Sequence, residues 1–191
     1  MRSVKTVSSI LSLLIVLIAH GIVLAKPQED RGKELLSAVR GSRTKKIKAL
    51  IDAGVDVNTK DKNGWTPLIW AADNKNIEIV KMLLAAGADV KARVETNHWT
   101  ALIAAVGYDA DTELVKVLID AGVDLNAQTY DGWTALMLAT YTTCPEAVKI
   151  LIAAKADVNV RNGDGKTALT IAIEGNHEDI AAMFKAAGGI Q

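Results

Sequence analysis

At 191 residues the chain is long enough for one domain with its own hydrophobic core. Half of it is apolar but only 4% is aromatic, so Ala, Val, Ile and Leu must fill that core, which favours close-packed helices over a β-sandwich. The formal net charge of zero offers no global attraction for nucleic acid, and a lone Cys144 excludes both an intrachain disulfide and a Cys-x-x-Cys metal or redox pair.

Residues 1–25 read as a secretory signal peptide. Arg2 and Lys5 form a basic start, an apolar stretch runs from about residue 10 to residue 18, and Val23-Leu24-Ala25 supplies small residues for cleavage after Ala25. The uncharged run over residues 6–25 is just long enough to span a bilayer, so an uncleaved anchor is the competing expectation. His20 and Gly21 interrupt it, and no Cys follows it to carry a lipid. On either expectation the folded part, residues 26–191, is exported. Its lack of disulfides suits a bacterial periplasm, with secretion as the broader case.

Beyond the leader the chain repeats itself, a property that governs the fold wherever it occurs. Thr-(Pro/Ala)-Leu stands at Thr66, Thr100, Thr134 and Thr167, at intervals of 34, 34 and 33 residues. A second phrase keeps the same period: Ala53-Gly54-Val55-Asp56-Val57-Asn58, Ala86-Gly87-Ala88-Asp89-Val90, Ala121-Gly122-Val123-Asp124-Leu125-Asn126 and Ala154-Lys155-Ala156-Asp157-Val158-Asn159.

The unit over residues 61–93 shows the physics. Asp61-Lys62-Asn63-Gly64 is turn chemistry. Thr66 is placed to cap a short helix whose first turn accepts Pro67. That helix runs to about Asp73, with Ala71 and Ala72 small enough for close packing. After a turn at residues 73–76, Ile77, Val80, Leu83 and Leu84 recur at helical spacing, and Gly87 ends the second helix in a left-handed cap. Cys144, just before Pro145, reads as a small cap or core residue in an equivalent turn.

These phrases resemble the ankyrin repeat, and the resemblance covers everything from about Glu29 onward. It implies an all-α solenoid of helix-turn-helix units with β-turn fingers, about five repeats including caps: 29–60, 61–93, 94–128, 129–161 and 162–191. The first unit keeps only the second phrase and the last puts Phe184 in the slot of Leu151, as capping units would. Three departures stand out. The family's His after Thr-Pro-Leu is replaced by Ile69, Ile103, Met137 and Thr170. Lys155 and His98 stand where Gly is usual, and Lys155 should cost about 1 kcal/mol or less if it takes positive φ. The third unit carries an extra residue near positions 107–111.

No catalytic constellation emerges. His98 and His177 lie far apart in the stack, and the sequence has neither a Gly-rich phosphate loop nor metal-ligand spacing. Asp56, Asp89, Asp124 and Asp157 recur with the repeat, which marks them as structural. The expectation is therefore a non-enzyme without cofactor or metal. What does exceed background is aromatic: Trp65, Trp99 and Trp133 precede the helix-start Thr in three successive units. The resemblance places them on the fingers, as a ladder with rungs about 10 Å apart. It also puts Tyr130 on the third of these fingers, and Tyr108 and Tyr141 at first-helix ends on the concave face. With Lys62, Asn63 and Asn97 these are the candidate partner-binding residues; the alternative expectation for Trp65, Trp99 and Trp133, compatible with the first, is that they stiffen the stack by packing finger on finger. Trp70, inside a first helix, reads as core.

Charge is uneven. Residues 26–50 hold eight basic and three acidic residues, a net of +5, whereas residues 51–191 hold 12 basic and 19 acidic, a net of −7. A solvated cap explains the basic end, as does contact with an anionic headgroup or acidic partner. The resemblance implies a protein partner bound on the finger and concave face, no nucleic acid, and a monomer. Membrane contact is expected only if residues 6–25 are retained; small-molecule binding in the aromatic groove is a second alternative.

Overall fold

The computed structural model describes residues 27–107 and 110–190. The leader assigned to residues 1–25 and the candidate Tyr108 fall outside the described residues. Those described form ten α-helices and no strand. In chain order they are α1 (Gln28–Arg40), α2 (Thr44–Asp52), α3 (Pro67–Asp73), α4 (Ile77–Ala85), α5 (Ala101–Ala105), α6 (Thr112–Asp120), α7 (Ala135–Tyr141), α8 (Pro145–Ala153), α9 (Ala168–Glu174) and α10 (Glu178–Ala186).

Odd-numbered helices pack on one another in succession, and so do the even-numbered ones, while each odd helix packs against the even helix that follows it. Two layers of helices thus grow along one axis, each unit burying its apolar face against the next. The sequence expectation of an all-α repeat solenoid is met.

Local chemistry explains the starts of the four later odd-numbered helices and the ends of the even-numbered ones. Thr66, Thr100, Thr134 and Thr167 accept, through Oγ1, the N–H groups of Ile69, Ile103, Met137 and Thr170 at 3.2–3.3 Å. Each hydroxyl satisfies a donor that the helix start would otherwise leave orphaned. The slot that loses the family's His is used for packing: Ile69, Ile103 and Met137 are buried at its three inner occurrences. Cys144 occupies the N-cap position of α8, half-buried ahead of Pro145. Phe184 and Leu151 are fully buried in their matching slots.

Second helices end at Gly54, Gly87, Gly122 and Gly188 with φ between 72° and 85°, and Lys155 joins them at φ 71°. A Cβ built at Gly122 would meet nothing within 4 Å, so this slot tolerates Lys155 sterically and charges only the backbone cost. His98 likewise takes the turn position of Gly64, Gly132 and Gly165, at φ 58°.

The periodic aspartates are structural, as their recurrence suggests. Asp56, Asp89, Asp124 and Asp157 each accept, through Oδ1, the N–H two residues on at 2.8–3.0 Å. Three asparagines in that downstream slot then span to the next unit. Asn58, Asn126 and Asn159 accept from the N–H groups of Asp89, Asp157 and Ile190 at 2.7, 2.8 and 2.9 Å.

Candidate partner-binding face

The fingers are tight turns built by side-chain acceptors. Asp61 N–H donates to the Trp65 carbonyl at 3.0 Å, while Asp61 Oδ1 accepts from Asn63 and Trp65 N–H at 2.8 and 3.0 Å. Thr129 and Asn162 close the fourth and fifth fingers in the same register, onto Trp133 and Lys166. The third finger differs. Val94 closes onto Trp99, so six residues take the place of five. The third unit's extra residue in the 107–111 stretch therefore has a counterpart in the preceding finger, which the interval of 34 between Thr66 and Thr100 concealed.

The second, third and fourth fingers each present a Trp half-buried at the base of the turn. Trp65 and Trp99 touch, with ring centroids 6.0 Å apart. The expected 10 Å describes the spacing of the backbones; long indoles lean across it and gain offset ring contact. Trp133 does not continue this ladder. Its ring meets that of Tyr141, the last residue of the same unit's first helix, in a T-shaped contact at 5.7 Å and 82°.

Trp70 is not core. It is half-buried, its centroid 4.5 Å from that of Trp65, and its Nε1–H donates to Asp61 Oδ2 at 3.1 Å. The Arg40 guanidinium lies 4.6 Å above the Trp70 ring. The ring packs at the margin of the core, and the finger carboxylate satisfies the indole N–H. Arg40, Trp70, Trp65 and Trp99 thus form one continuous cluster.

Tyr130 is the most exposed large hydrophobic side chain among the described residues, at 76%, and its ring lies 6.1 Å from His98. Tyr141 is 63% exposed. Lys62 and Asn63 stand exposed on the second finger. Asn97 has structural duties instead: its carbonyl accepts from Tyr130 N–H at 3.0 Å, and its Oδ1 accepts from Trp99 N–H at 3.1 Å. A second finger-to-finger bond, Gly163 N–H to the Asp131 carbonyl at 2.9 Å, joins the last two units.

Sequence reasoning missed the residues around Tyr141. Together with Trp133, Asp164, Lys166, Ile171, Glu174, Gly175 and His177 it lines a cavity of about 300 Å³. Lys166 Nζ donates to Glu174 Oε2 at 2.6 Å. That hydrogen bond holds the ammonium above the usual lysine range, with the charges of Glu174 and Asp164 adding to it. His177 Nε2 lies 3.2 Å from Thr143 Oγ1. A signal for these residues existed: Lys166 holds the Trp slot of the last unit, and Glu174 follows Tyr141 by one repeat. Asn162 takes the place of Asp61, and its buried Nδ2 has no protein partner among the described residues.

Among the described residues no group of three or more His, Cys, Asp and Glu side chains is arranged to hold a metal ion, and no helix is long and apolar enough to cross a membrane. Repeated helix pairs with a row of turns along one edge define a solenoid scaffold of the kind used for macromolecular contact. A family model for ankyrin repeats (three copies) matches residues 7–94 and 90–162, and one for ankyrin repeats (many copies) matches residues 142–184. The chain belongs to the ankyrin repeat family, whose repeats generally serve non-catalytic protein–protein contact.

Similar curated proteins share short stretches with it. The chain is 35% identical over 54 residues to the rabbit (Oryctolagus cuniculus) ankyrin repeat, SAM and basic leucine zipper domain-containing protein 1, covering 28% of this chain and 11% of that protein. It is 43% identical over 49 residues to protein VAPYRIN-LIKE of Medicago truncatula, 26% of this chain and 11% of that one. Against the mitochondrial disaggregase of Homo sapiens it is 36% identical over 56 residues, 29% of this chain and 8% of that protein. The chain thus spans about a tenth of the length of these relatives.

Proposed function

We propose that the chain is an exported, non-catalytic module that binds a protein partner on the face formed by its fingers and the ends of its odd-numbered helices. The observation that carries this is the gathering of Trp65, Trp70, Trp99, Tyr130, Trp133 and Tyr141 along one side of the stack, with Tyr130 and Tyr141 largely exposed. Aromatic side chains give much contact area at low entropic cost and dominate interface hot spots. Export rests on the leader composition alone.

Both parts are testable. Full-length protein expressed in a bacterium and recovered from its periplasm should begin at Lys26 by mass spectrometry; a retained Met1 with membrane fractionation would instead make it an anchored scaffold. Partner capture should fall at least tenfold for Tyr130→Ala combined with Tyr141→Ala. Lys116→Glu with Lys149→Glu, on the even-numbered helices, should leave capture unchanged. Equal loss from both pairs would end the assignment to this face.

A further inference from the structure

The repeat places two equivalent corners at opposite ends of the aromatic face. In each, the last residue of one odd helix meets the fourth residue of the next: Arg40 of α1 with Trp70 of α3, and Tyr141 of α7 with Ile171 of α9. At the first corner a guanidinium of the chain itself lies 4.6 Å over an indole. At the second, Tyr takes the Arg slot and the shorter Ile171 takes the Trp slot, leaving the cavity of about 300 Å³. Its walls are the Trp133 and Tyr141 rings, and the carboxylates of Asp164 and Glu174 are among its lining.

We infer that this C-terminal corner receives an arginine side chain from a basic segment of the partner protein. The inference rests on the proposed partner-binding face and names what that face recognises. A guanidinium stacks on aromatic rings and donates in a fork to a carboxylate, which an ammonium cannot do as well. The cavity is at the lower limit of small-molecule sites, which suits one long side chain. Charge agrees. Residues 94–191 hold 13 acidic and six basic residues, a net of −7, whereas residues 26–93 carry a net of +5. A basic segment is therefore drawn to the C-terminal units and repelled from the N-terminal ones.

Lys166 occupies the rim as an internal rival, its ammonium 2.6 Å from Glu174. An incoming guanidinium must share or displace that bond. Removing the lysine amine should therefore strengthen binding, an effect that a merely structural role for Lys166 would not produce.

The test uses the whole exported chain and two synthetic peptides, acetyl-Gly-Arg-Gly-Arg-Gly-amide and its twin with citrulline, the neutral isostere, at both arginines. NMR of the Trp indole N–H signals, with Trp133 assigned through Trp133→Phe, should show a saturable shift of the Trp133 signal with the arginine peptide and at least a tenfold weaker response with citrulline. Glu174→Gln, an exposed change that should leave the fold intact, should weaken binding about fivefold, and Lys166→Ala should tighten it about threefold, the range expected of a partly exposed ion pair. Equal binding of the citrulline peptide, or weaker binding by Lys166→Ala, overturns the arginine assignment while leaving the partner face standing. Absence of a shift at every Trp indole signal would remove both. A dimer in sedimentation that the arginine peptide does not dissociate would make a second copy's basic end the occupant and overturn the proposal.

Discussion

The junction between the second and third units is fastened differently from the other three, and the contrast separates the structural tryptophans from the available one. At the other junctions Asn58, Asn126 and Asn159 each accept a backbone N–H from the next unit. At this one Lys91 holds the same slot and has no carboxamide to reach across. The finger-to-finger backbone bonds at the later junctions, Tyr130 to Asn97 and Gly163 to Asp131, give way here to side-chain contacts: the exposed pair Lys60–Glu95 at 3.0 Å reaches the third finger from the end of the first unit, and the Arg93 guanidinium donates to the Gln128 carbonyl. Such a surface pair contributes little. The Trp65–Trp99 ring contact crosses the junction as well. Two of the three in-register tryptophans therefore hold a joint that lacks the asparagine clasp of the other three. Trp133 sits beyond a junction that Asn126 and the finger bond already secure, and its ring, packed against the core on one side, meets Tyr141 on the rim of the cavity.

The comparison can be broken at its strongest point first. Gly132→Ala should destabilise the chain by about 3 kcal/mol, since a Cβ there would lie 2.7 Å from Gly163 N on a residue at φ 79°. The same change at Gly122, with open space around it, should cost only the backbone term of about 1 kcal/mol; urea unfolding of the two variants measures the difference. Trp99→Ala should cost about 2 kcal/mol, through lost burial and the ring contact with Trp65, and Trp133→Ala distinctly less. If the two cost the same, the 2–3 junction is not special. Hydrogen exchange of the α5 amides should then show whether Trp99→Ala opens that junction locally or the whole stack.

Smaller effects sharpen the picture. Asn126→Ala removes the acceptor of a 2.8 Å bond to Asp157 N–H and should cost about 1 kcal/mol. Lys91→Asn, supplying the missing clasp, should gain up to about 1 kcal/mol in the same denaturant assay. A gain larger in the Trp99→Ala background than in the parent would show that clasp and aromatic pair do the same work. Smallest of all, Lys155→Gly should stabilise by about 1 kcal/mol or less, because the residue already sits at φ 71°.

Much of this was legible in the residues because the period is local chemistry repeated. A Thr three residues before a free N–H, a Gly or its substitute where the helix must end, and an Asp two residues before a free N–H each act within one turn of chain. That locality is why the helices, the left-handed Lys155 and His98 and the structural role of the aspartates could be anticipated. The candidate face was only partly legible. Trp65, Trp99, Trp133, Tyr130 and Tyr141 were visible as exceptions to an aromatic-poor composition, but Arg40, Asp164, Lys166, Glu174 and His177 look like ordinary solvated charges until neighbouring units stack.

By itself, then, the sequence determined the repeat, its helix boundaries and the side of each unit that faces its neighbour, because these depend on contacts a few residues apart. Only the tertiary structure decided which aromatic meets which. Trp70 left the core for Asp61, Trp65 closed on Trp99, and Trp133 turned to Tyr141, each choice made between residues that one repeat or one finger separates. A period of 33 or 34 residues says which side chains share a level in the stack, but not how far a long ring leans or which partner satisfies its edge.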